Sequence, residues 1–232
     1  MYLPLAAVLA LVFGWVARRF GFRVLAVSGV LAAVASGAVT FHRNTIYRDE
    51  ERLWVDTIAK VPGNARAHNN LGRMFYARDE LDPAIDLYRE SLRLDPDIAH
   101  TYFNLGIALM KKGDLEESMV ALREAARIVP HYYNAHLNLG MVLIRLGRHA
   151  EAILPIAHAI RHDPAPAEAY FRMGVALAGV GRWREAEANY AAALRHNPGH
   201  VEAHSNRGVA LFQLNRVDEA IEHFNEALRL QS

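Results

Sequence analysis

The sequence contains no cysteine, and this absence excludes two kinds of site. Disulfide bonds cannot form, so packing and hydrogen bonds must hold the fold together. Metal sites built on thiolates are excluded for the same reason. Because proteins without cysteine occur in oxidising and reducing compartments alike, the absence leaves the location of the protein open.

The sequence also lacks an excess of charge of either sign. Its 26 basic and 25 acidic residues leave a formal net charge of +1, and no helical segment carries a basic stripe along one face. Nucleic-acid binding is therefore not indicated as the main function. No Ser-His-Asp set, phosphate-binding glycine loop or suggestive carboxylate pair is present. We therefore expect a protein that is not an enzyme and holds no cofactor.

Charge is nearly absent from the first 41 residues, where three arginines are the only charged side chains. Two apolar runs, residues 3–17 and 24–41, flank these arginines. The second run would form a helix of roughly 27 Å, close to the ~30 Å hydrocarbon core of a bilayer. The runs predict a transmembrane hairpin over residues 1–43, with a signal peptide or a buried helix as alternatives. The arginine-rich loop favours repeats in the periplasm or a lumen.

From residue 65 onwards, one pattern recurs five times at a spacing of 34 residues. Each unit has two stretches with apolar residues at helical spacing, separated by Gly, Asp or Asn, and proline closes the first four units. The units are 65–98, 99–132, 133–166, 167–200 and 201–232. One column holds Leu71, Leu105, Leu139 and Met173, with Arg207 as the exception. The next is all glycine: Gly72, Gly106, Gly140, Gly174 and Gly208.

These columns, together with the alanine columns further along each unit, resemble the tetratricopeptide repeat (TPR). The resemblance covers residues 65–232 and implies an all-α fold, in which helical hairpins stack into a right-handed superhelix. It also implies a concave inner wall on which partner peptides bind. The implied function is a scaffold for protein–protein interaction, anchored at a membrane by the predicted hairpin.

The stretch 44–64 between the apolar runs and the first unit continues the same register. Trp54 falls in an aromatic column and Pro62 in the proline column, so the stretch predicts the second helix of a half-repeat. The same stretch, with the Pro62-Gly63-Asn64 turn, is similar to the junction near the C-terminal end of O-mannosyltransferase-like membrane proteins that carry TPRs. That similarity implies an alternative function, the substrate-presenting module of a glycosyltransferase whose catalytic part is absent from this chain.

One column of the first helices suggests how a peptide would be held. It contains Asn70, Asn104, Asn138, Arg172 and Asn206, and an amide can bond both the N–H and the C=O of an extended backbone. The alternative is that these amides bond within the array. The predicted groove also includes an apolar surface with a basic mouth, for an extended or helical peptide. Its other members are Arg66, Asn69, Arg73, Tyr76, Phe103, Ile107, Met110, Leu137, Met141 and Phe171.

Two further patterns concern partners. Twelve histidines are present, and His158 and His162 are four residues apart, but no third ligand is fixed near them. We therefore expect no metal site. The last unit carries Ile221, Phe224 and Leu228 on its second helix, where a following unit would cover them. This apolar face predicts self-association, or pairing with another protein, through the last unit.

Overall fold

The structure, a computed structural model, describes residues 50–162 and 167–231. All regular structure in these residues is α-helical, which confirms the predicted all-α class. The helices are α1 Glu50–Lys60, α2 Ala65–Ala77, α3 Leu81–Leu94, α4 Ala99–Lys112, α5 Leu115–Ile128, α6 Tyr133–Arg145, α7 His149–His162, α8 Ala167–Gly179, α9 Trp183–His196, α10 Val201–Gln213 and α11 Val217–Gln231.

Contacts divide the chain into two compact units, residues 1–56 and 57–232, and helices α2–α11 all belong to the second. Within it the helices pair in chain order, from α2 with α3 to α10 with α11. Each second helix also packs against the first helix of the next pair. The backbones of neighbouring first helices approach one another, whereas those of the second helices in the described residues lie further apart, and only long side chains join them, as in the Arg89–Glu117 ion pair at 2.6 Å. The side lined by α2, α4, α6, α8 and α10 is therefore the concave one.

Helix α1 lies within the junction for which a half-repeat is predicted. None of its residues is buried, and Trp54 is partly exposed. The helix is present where the register places it, between residues 44 and 64. Its assignment as the second helix of a half-repeat remains a prediction.

The turns inside the pairs use a left-handed backbone conformation. Positive φ angles occur at Asp79 (66°), Gly113 (101°), Gly147 (73°), Gly181 (76°) and Asn215 (58°). Most side chains disfavour this conformation, while glycine adopts it readily and Asn and Asp tolerate it. The prediction that these residues end the first helices is therefore confirmed.

Three histidines of one column tie the start of a first helix to the turn before it. The Nε2 atoms of His68, His136 and His204 each lie 3.0 Å from the carbonyl oxygen of a proline six residues earlier. Because a carbonyl only accepts, the ring nitrogen Nε2 carries the proton. In His204 the other nitrogen, Nδ1, then accepts from His223 Nδ1 at 2.9 Å. These hydrogen bonds give the three histidines a structural role at the start of their helices.

An ion pair replaces an apolar contact between the last two units. Glu187 stands in the column of Ile85, Met119 and Ile153, and Arg207 stands in the leucine column described above. The two side chains meet with Arg207 Nη2 2.6 Å and Nε 2.8 Å from Glu187 Oε1. They are only 23% and 14% exposed. The exception in the leucine column is thus matched by a second exception on the facing helix.

The predicted localisation at a membrane, with the repeats in the periplasm or a lumen, is wrong. The described helices are 11 to 15 residues long, whereas a helical span needs about 20 apolar residues. None of them combines the length and the apolar character needed to cross a bilayer. The two runs behind the prediction, residues 3–17 and 24–41, lie outside the described residues.

The ion pair generates a stability prediction. Arg207→Leu and Glu187→Ile should each lower the free energy of unfolding by about 1–3 kcal/mol, because Glu187→Ile leaves the Arg207 charge without its close partner and Arg207→Leu leaves Glu187 only the longer contact with Arg216, at 3.9 Å. The double variant restores the apolar pair of the other units and should equal or exceed the wild type in stability. Urea unfolding of the wild type, the two single variants and the double variant measures the interaction energy of the pair as a double-mutant cycle. A double variant as unstable as the single variants would show that the pair does not act as a unit.

Two partly buried histidines generate a prediction on pH. Burial lowers the pKa of His136, and it lowers the pKa of His223, with a smaller contribution from the nearby Arg207 charge. As the pH falls, these two histidines therefore become protonated in the unfolded chain before they do so in the folded protein. Their contribution to stability is complete above about pH 6.5 and is lost as the pH falls through the lower pKa values of the folded state.

The matching variant is His136→Tyr with His223→Asn, which installs the residues of the equivalent positions Tyr102 and Asn189. Its melting temperature should fall less between neutral pH and about pH 5.5 than that of the wild type. Circular dichroism at a series of pH values measures the difference. Parallel curves for the two proteins would contradict a role for these rings in acid sensitivity.

Candidate functional site

The predicted groove residues lie on the first helices, whose concave side they share through the 34-residue register. Arg66 and Arg73 are exposed. Most of the others are partly exposed, so they line the wall and remain accessible: Asn69, Asn70, Tyr76, Phe103, Asn104, Ile107, Met110, Asn138, Met141, Arg172 and Asn206. The character of the wall changes along the array: arginines lie at its first unit, apolar residues in the middle, and side chains of both charges at the last units.

Two of the predicted groove residues are buried instead. Leu137 is 7% exposed and Phe171 is 5% exposed, and both belong to the apolar core. The Phe171 ring lies 4.5 Å from the ring of His200 between centroids and 6.0 Å from that of Tyr190. These side chains support the wall from behind, so a ligand would not contact them. The column that holds them contains the partly exposed Asn69 and Phe103 in the first two units, and for this reason the sequence alone did not separate them.

The asparagine column is partly bonded within the array. Asn104 Nδ2 donates to Asn69 Oδ1 at 2.9 Å, and Asn138 Nδ2 donates to the carbonyl oxygen of Asn134 at 2.8 Å. Arg172, in the same column, donates through Nε to Glu168 at 2.6 Å. The amide nitrogens are thus engaged, while among the described residues no donor bonds the Oδ1 atoms of Asn104 and Asn138. These two oxygens are acceptors that the column offers to a ligand, and the partly exposed Asn206 offers a third.

Five predicted groove residues meet around one cavity between α2 and α4. Its volume is about 370 Å³, and Tyr88 and Ala77 complete the lining. Lys111 stands beside it, with Nζ 5.3 Å from the centre of the Tyr76 ring and 2.6 Å from Asp79 Oδ1. The cavity therefore has aromatic and aliphatic walls with cations at its edge. The five residues are Arg73, Tyr76, Phe103, Asn104 and Ile107.

A second cavity, of about 330 Å³, lies on α8 and α10 near the other end of the wall. Asn206 belongs to the predicted groove and lines this cavity. His149 and Trp183, which the sequence reasoning did not select, line it as well. His149 packs against Gly179, where a Cβ atom would overlap the ring. In the sequence, Gly179 marks the place where His149 can pack, because the equivalent residues Lys111, Arg145 and Gln213 of other units all have long side chains.

The histidine pair considered as metal ligands makes ring contacts. His158 stacks on His136 with centroids 5.0 Å apart, and His162 lies 4.8 Å from His131 at a tilt. In the described part of the chain, no three His, Asp or Glu side chains come together in a way that could hold a metal ion.

Comparisons with known proteins add a family and a fold. The sequence model of the cilia and flagella-associated protein 70 C-terminal domain matches residues 37–232. A search of curated sequences found no match. These comparisons do not support the predicted link with O-mannosyltransferase-like membrane proteins.

Solved structures with this fold include TPR proteins. YrrB, described as a TPR protein with an unusual peptide-binding site, is 26% identical with a TM-score of 0.70, over 77% of this chain and 92% of YrrB. MamA from Desulfovibrio magneticus RS-1 is 21% identical with a TM-score of 0.68, over 72% of this chain and 94% of that protein. The TPR resemblance is thereby confirmed. Because the family match spans most of the sequence, the chain belongs to the TPR family of the cilia and flagella-associated protein 70 C-terminal domain.

Proposed function

We propose that this protein is a non-catalytic interaction scaffold that binds a peptide segment of a partner protein in the concave groove of its first helices. The observation that carries the proposal is the cavity between α2 and α4, where five predicted groove residues meet. The similarity to YrrB, which has a peptide-binding site, supports it, since the two chains share 26% identity over most of their lengths.

Each part of this cavity suits a different part of a peptide. Phe103 and Ile107 offer apolar surface for one side chain, and burying such a side chain is favourable by about 1.5–3 kcal/mol. Arg73 is exposed at the edge, where it can pair with a carboxylate. Asn104 Oδ1 can accept a hydrogen bond from a peptide N–H. The preferred ligand is therefore a segment with an apolar residue next to an acidic one.

The alternative function, a substrate-presenting module of a glycosyltransferase, has no observation in its favour among the described residues. Their side chains form helix-packing cores, ion pairs and the groove. The family match and the solved structures likewise point to an interaction scaffold.

The groove proposal predicts the effect of removing the two acceptors. Peptides selected from a random displayed library on the wild type provide the ligand, and fluorescence anisotropy of a labelled peptide measures affinity. Asn104→Ala with Asn138→Ala should weaken binding about five- to 150-fold, because each lost hydrogen bond contributes roughly 0.5–1.5 kcal/mol.

Asn189→Ala is the matched control. Asn189 Nδ2 donates to the carbonyl oxygen of Glu185 at 2.8 Å, the same local bond that Asn138 makes, but it lies on the second helix α9. Its removal should leave peptide affinity unchanged. A double variant that melts early and still binds the selected peptides with wild-type affinity would contradict the groove proposal.

We also propose that the last unit pairs with the last unit of a second copy. Val217, Ile221, Phe224 and Leu228 recur on one face of α11 and are 46%, 52%, 36% and 64% exposed. An antiparallel pair of α11 helices would bury both faces. It would also place the acidic first turn, with Asp218, near the last turn of the other copy, where Arg229 already pairs with Glu226. Burial of apolar surface is the driving force, and the charges favour the antiparallel orientation.

Self-association is tested by sedimentation velocity of the full chain over a range of concentrations. The wild type should shift towards a dimer as concentration rises, and Ile221→Glu with Leu228→Glu should remain a monomer, because two charges cannot be buried against each other. Val120→Glu with Val55→Glu is the control, since both valines are at least half exposed elsewhere. A wild type that stays monomeric throughout would refute the proposed pair.

A further inference from the structure

We propose that the outer side of the array holds a second binding site, for a single apolar side chain of an acidic peptide segment. The site is a cavity of about 270 Å³ between α5, α6 and α7. Its lining comes mainly from second helices, whereas the groove is built from first helices. The proposal therefore stands independently of the groove. The lining residues are Arg123, Ala126, Arg127, His136, Leu139, Leu154, Pro155 and His158.

The cavity exists because one unit has a small residue where the others have a large one. Ala126 occupies a column that contains Leu92, Ile160, Leu194 and Leu228. Leu92, Ile160 and Leu194 all pack against the apolar core of their units. At Ala126 the equivalent volume is missing, and the space opens between the second helices of the second and third units. A void left by a missing leucine is apolar and loses favourable contacts unless another side chain enters it.

The rim of the cavity exposes a large apolar residue. Leu154 is 67% exposed, the largest exposure among the large apolar side chains of the described residues. Its column holds Asp86, Ala188 and Glu222 in three other units, and in the second unit it holds Val120, which is 55% exposed. Exposed apolar surface beside an apolar cavity is characteristic of a binding site. The next residue, Pro155, also lines the cavity and cannot donate a helical hydrogen bond.

The charges around the cavity select an acidic ligand. Arg123 and Arg127 lie one turn apart on α5, at the edge. The neighbouring carboxylates are already engaged, Glu124 by Arg127 at 2.7 Å and Glu151 by Arg148 at 2.6 Å. Among the described residues, Arg123 has no carboxylate within salt-bridge distance. An incoming carboxylate would therefore meet an available guanidinium, a pairing that arginine geometry favours.

The size of the cavity suits one apolar side chain. Pockets for drug-sized ligands usually occupy about 300–1,000 Å³, and this cavity lies just below that range. A leucine or phenylalanine side chain can enter it, with the backbone running across the rim past Leu154. A carboxylate on either side of that residue would then lie near Arg123 or Arg127. The class of ligand is a peptide in which an apolar residue is flanked by Asp or Glu.

The site is tested by nuclear magnetic resonance of the full chain labelled with ¹⁵N. The probe is the peptide acetyl-Glu-Leu-Glu-amide, for which we expect a dissociation constant on the order of 1 mM. Its addition should shift the backbone amides of Ala126, Leu139 and His158. The charge-reversed peptide acetyl-Lys-Leu-Lys-amide should leave them in place at the same concentration.

Three variants separate the contributions. Ala126→Leu fills the cavity and should abolish the shifts without lowering the melting temperature, while Ala188→Leu adds the same side chain at an exposed position of α9 and should leave binding intact. Arg123→Glu should weaken binding about three- to tenfold, and Arg195→Glu, with the same change in net charge, should have no effect. Leu154→Glu tests the rim without touching the core and should also weaken binding.

Three outcomes would overturn the proposal. The first is the absence of shifts at the cavity amides at probe concentrations well above 1 mM, on the order of 10 mM. The second is equal binding of the acidic and the basic peptide, which would show that the arginines do not select the ligand. The third is unchanged binding in both Ala126→Leu and Leu154→Glu, which would place the probe elsewhere on the array.

Discussion

Close contact between a glycine of the first helix and a large side chain of the second helix is the interaction on which the whole array depends. A Cβ atom added at Gly106 would lie 2.6 Å from Leu122 Cγ, and Leu122 is fully buried. Any larger residue would therefore push the two helices apart. The same contact recurs in every unit: Gly72 with Tyr88, Gly140 with Ile156, Gly174 with Tyr190 and Gly208 with Phe224. Because the two helices approach equally closely in every unit, the units can stack with one repeated geometry.

Each unit buries its apolar face only by stacking on its neighbours, so its stability depends on them. The interfaces between units differ in their chemistry. Most of them are apolar, as between Ile85 and the core that includes Leu105. The fourth and fifth units meet through Glu187 and Arg207 instead. An ion pair of this kind gives little net stability but penalises a mismatched partner, since either charge alone would be buried without compensation. The pair therefore favours the packing of α10 on α9 in which Arg207 faces Glu187.

The two sides of the array offer different chemistry because they come from different helices. First helices form the concave wall, with apolar residues between arginines at one end and mixed charge at the other. Second helices form the outer side, which is mostly covered by short-range pairs such as Arg182 with Glu185 and Arg216 with Glu219. Such exposed pairs keep the outer side polar. The cavity beneath Ala126 interrupts that surface, so the protein has room for partners on both sides.

The sequence by itself determined the all-α fold, the pairing of helices and the glycine contacts, because each depends on residues at a fixed spacing within one unit. It also placed the turns, since residues such as Gly113 and Asp79 adopt their φ angles for local reasons. It went wrong about the membrane, where apolar length alone was the argument. The groove residues were placed on the right helices, but the sequence could not separate the buried Phe171 from the accessible Phe103.

Only the tertiary structure decided what depends on contacts between units. The bond from Asn104 to Asn69, the pairing of Glu187 with Arg207 and the cavity beside Ala126 all join residues of different units or different helices. A periodic sequence shows which positions are equivalent, and it marks where a residue departs from its column. It does not show which side chains of the neighbouring helices contact that residue. That depends on the distance and angle between neighbouring helices, which are set by packing across the whole stack.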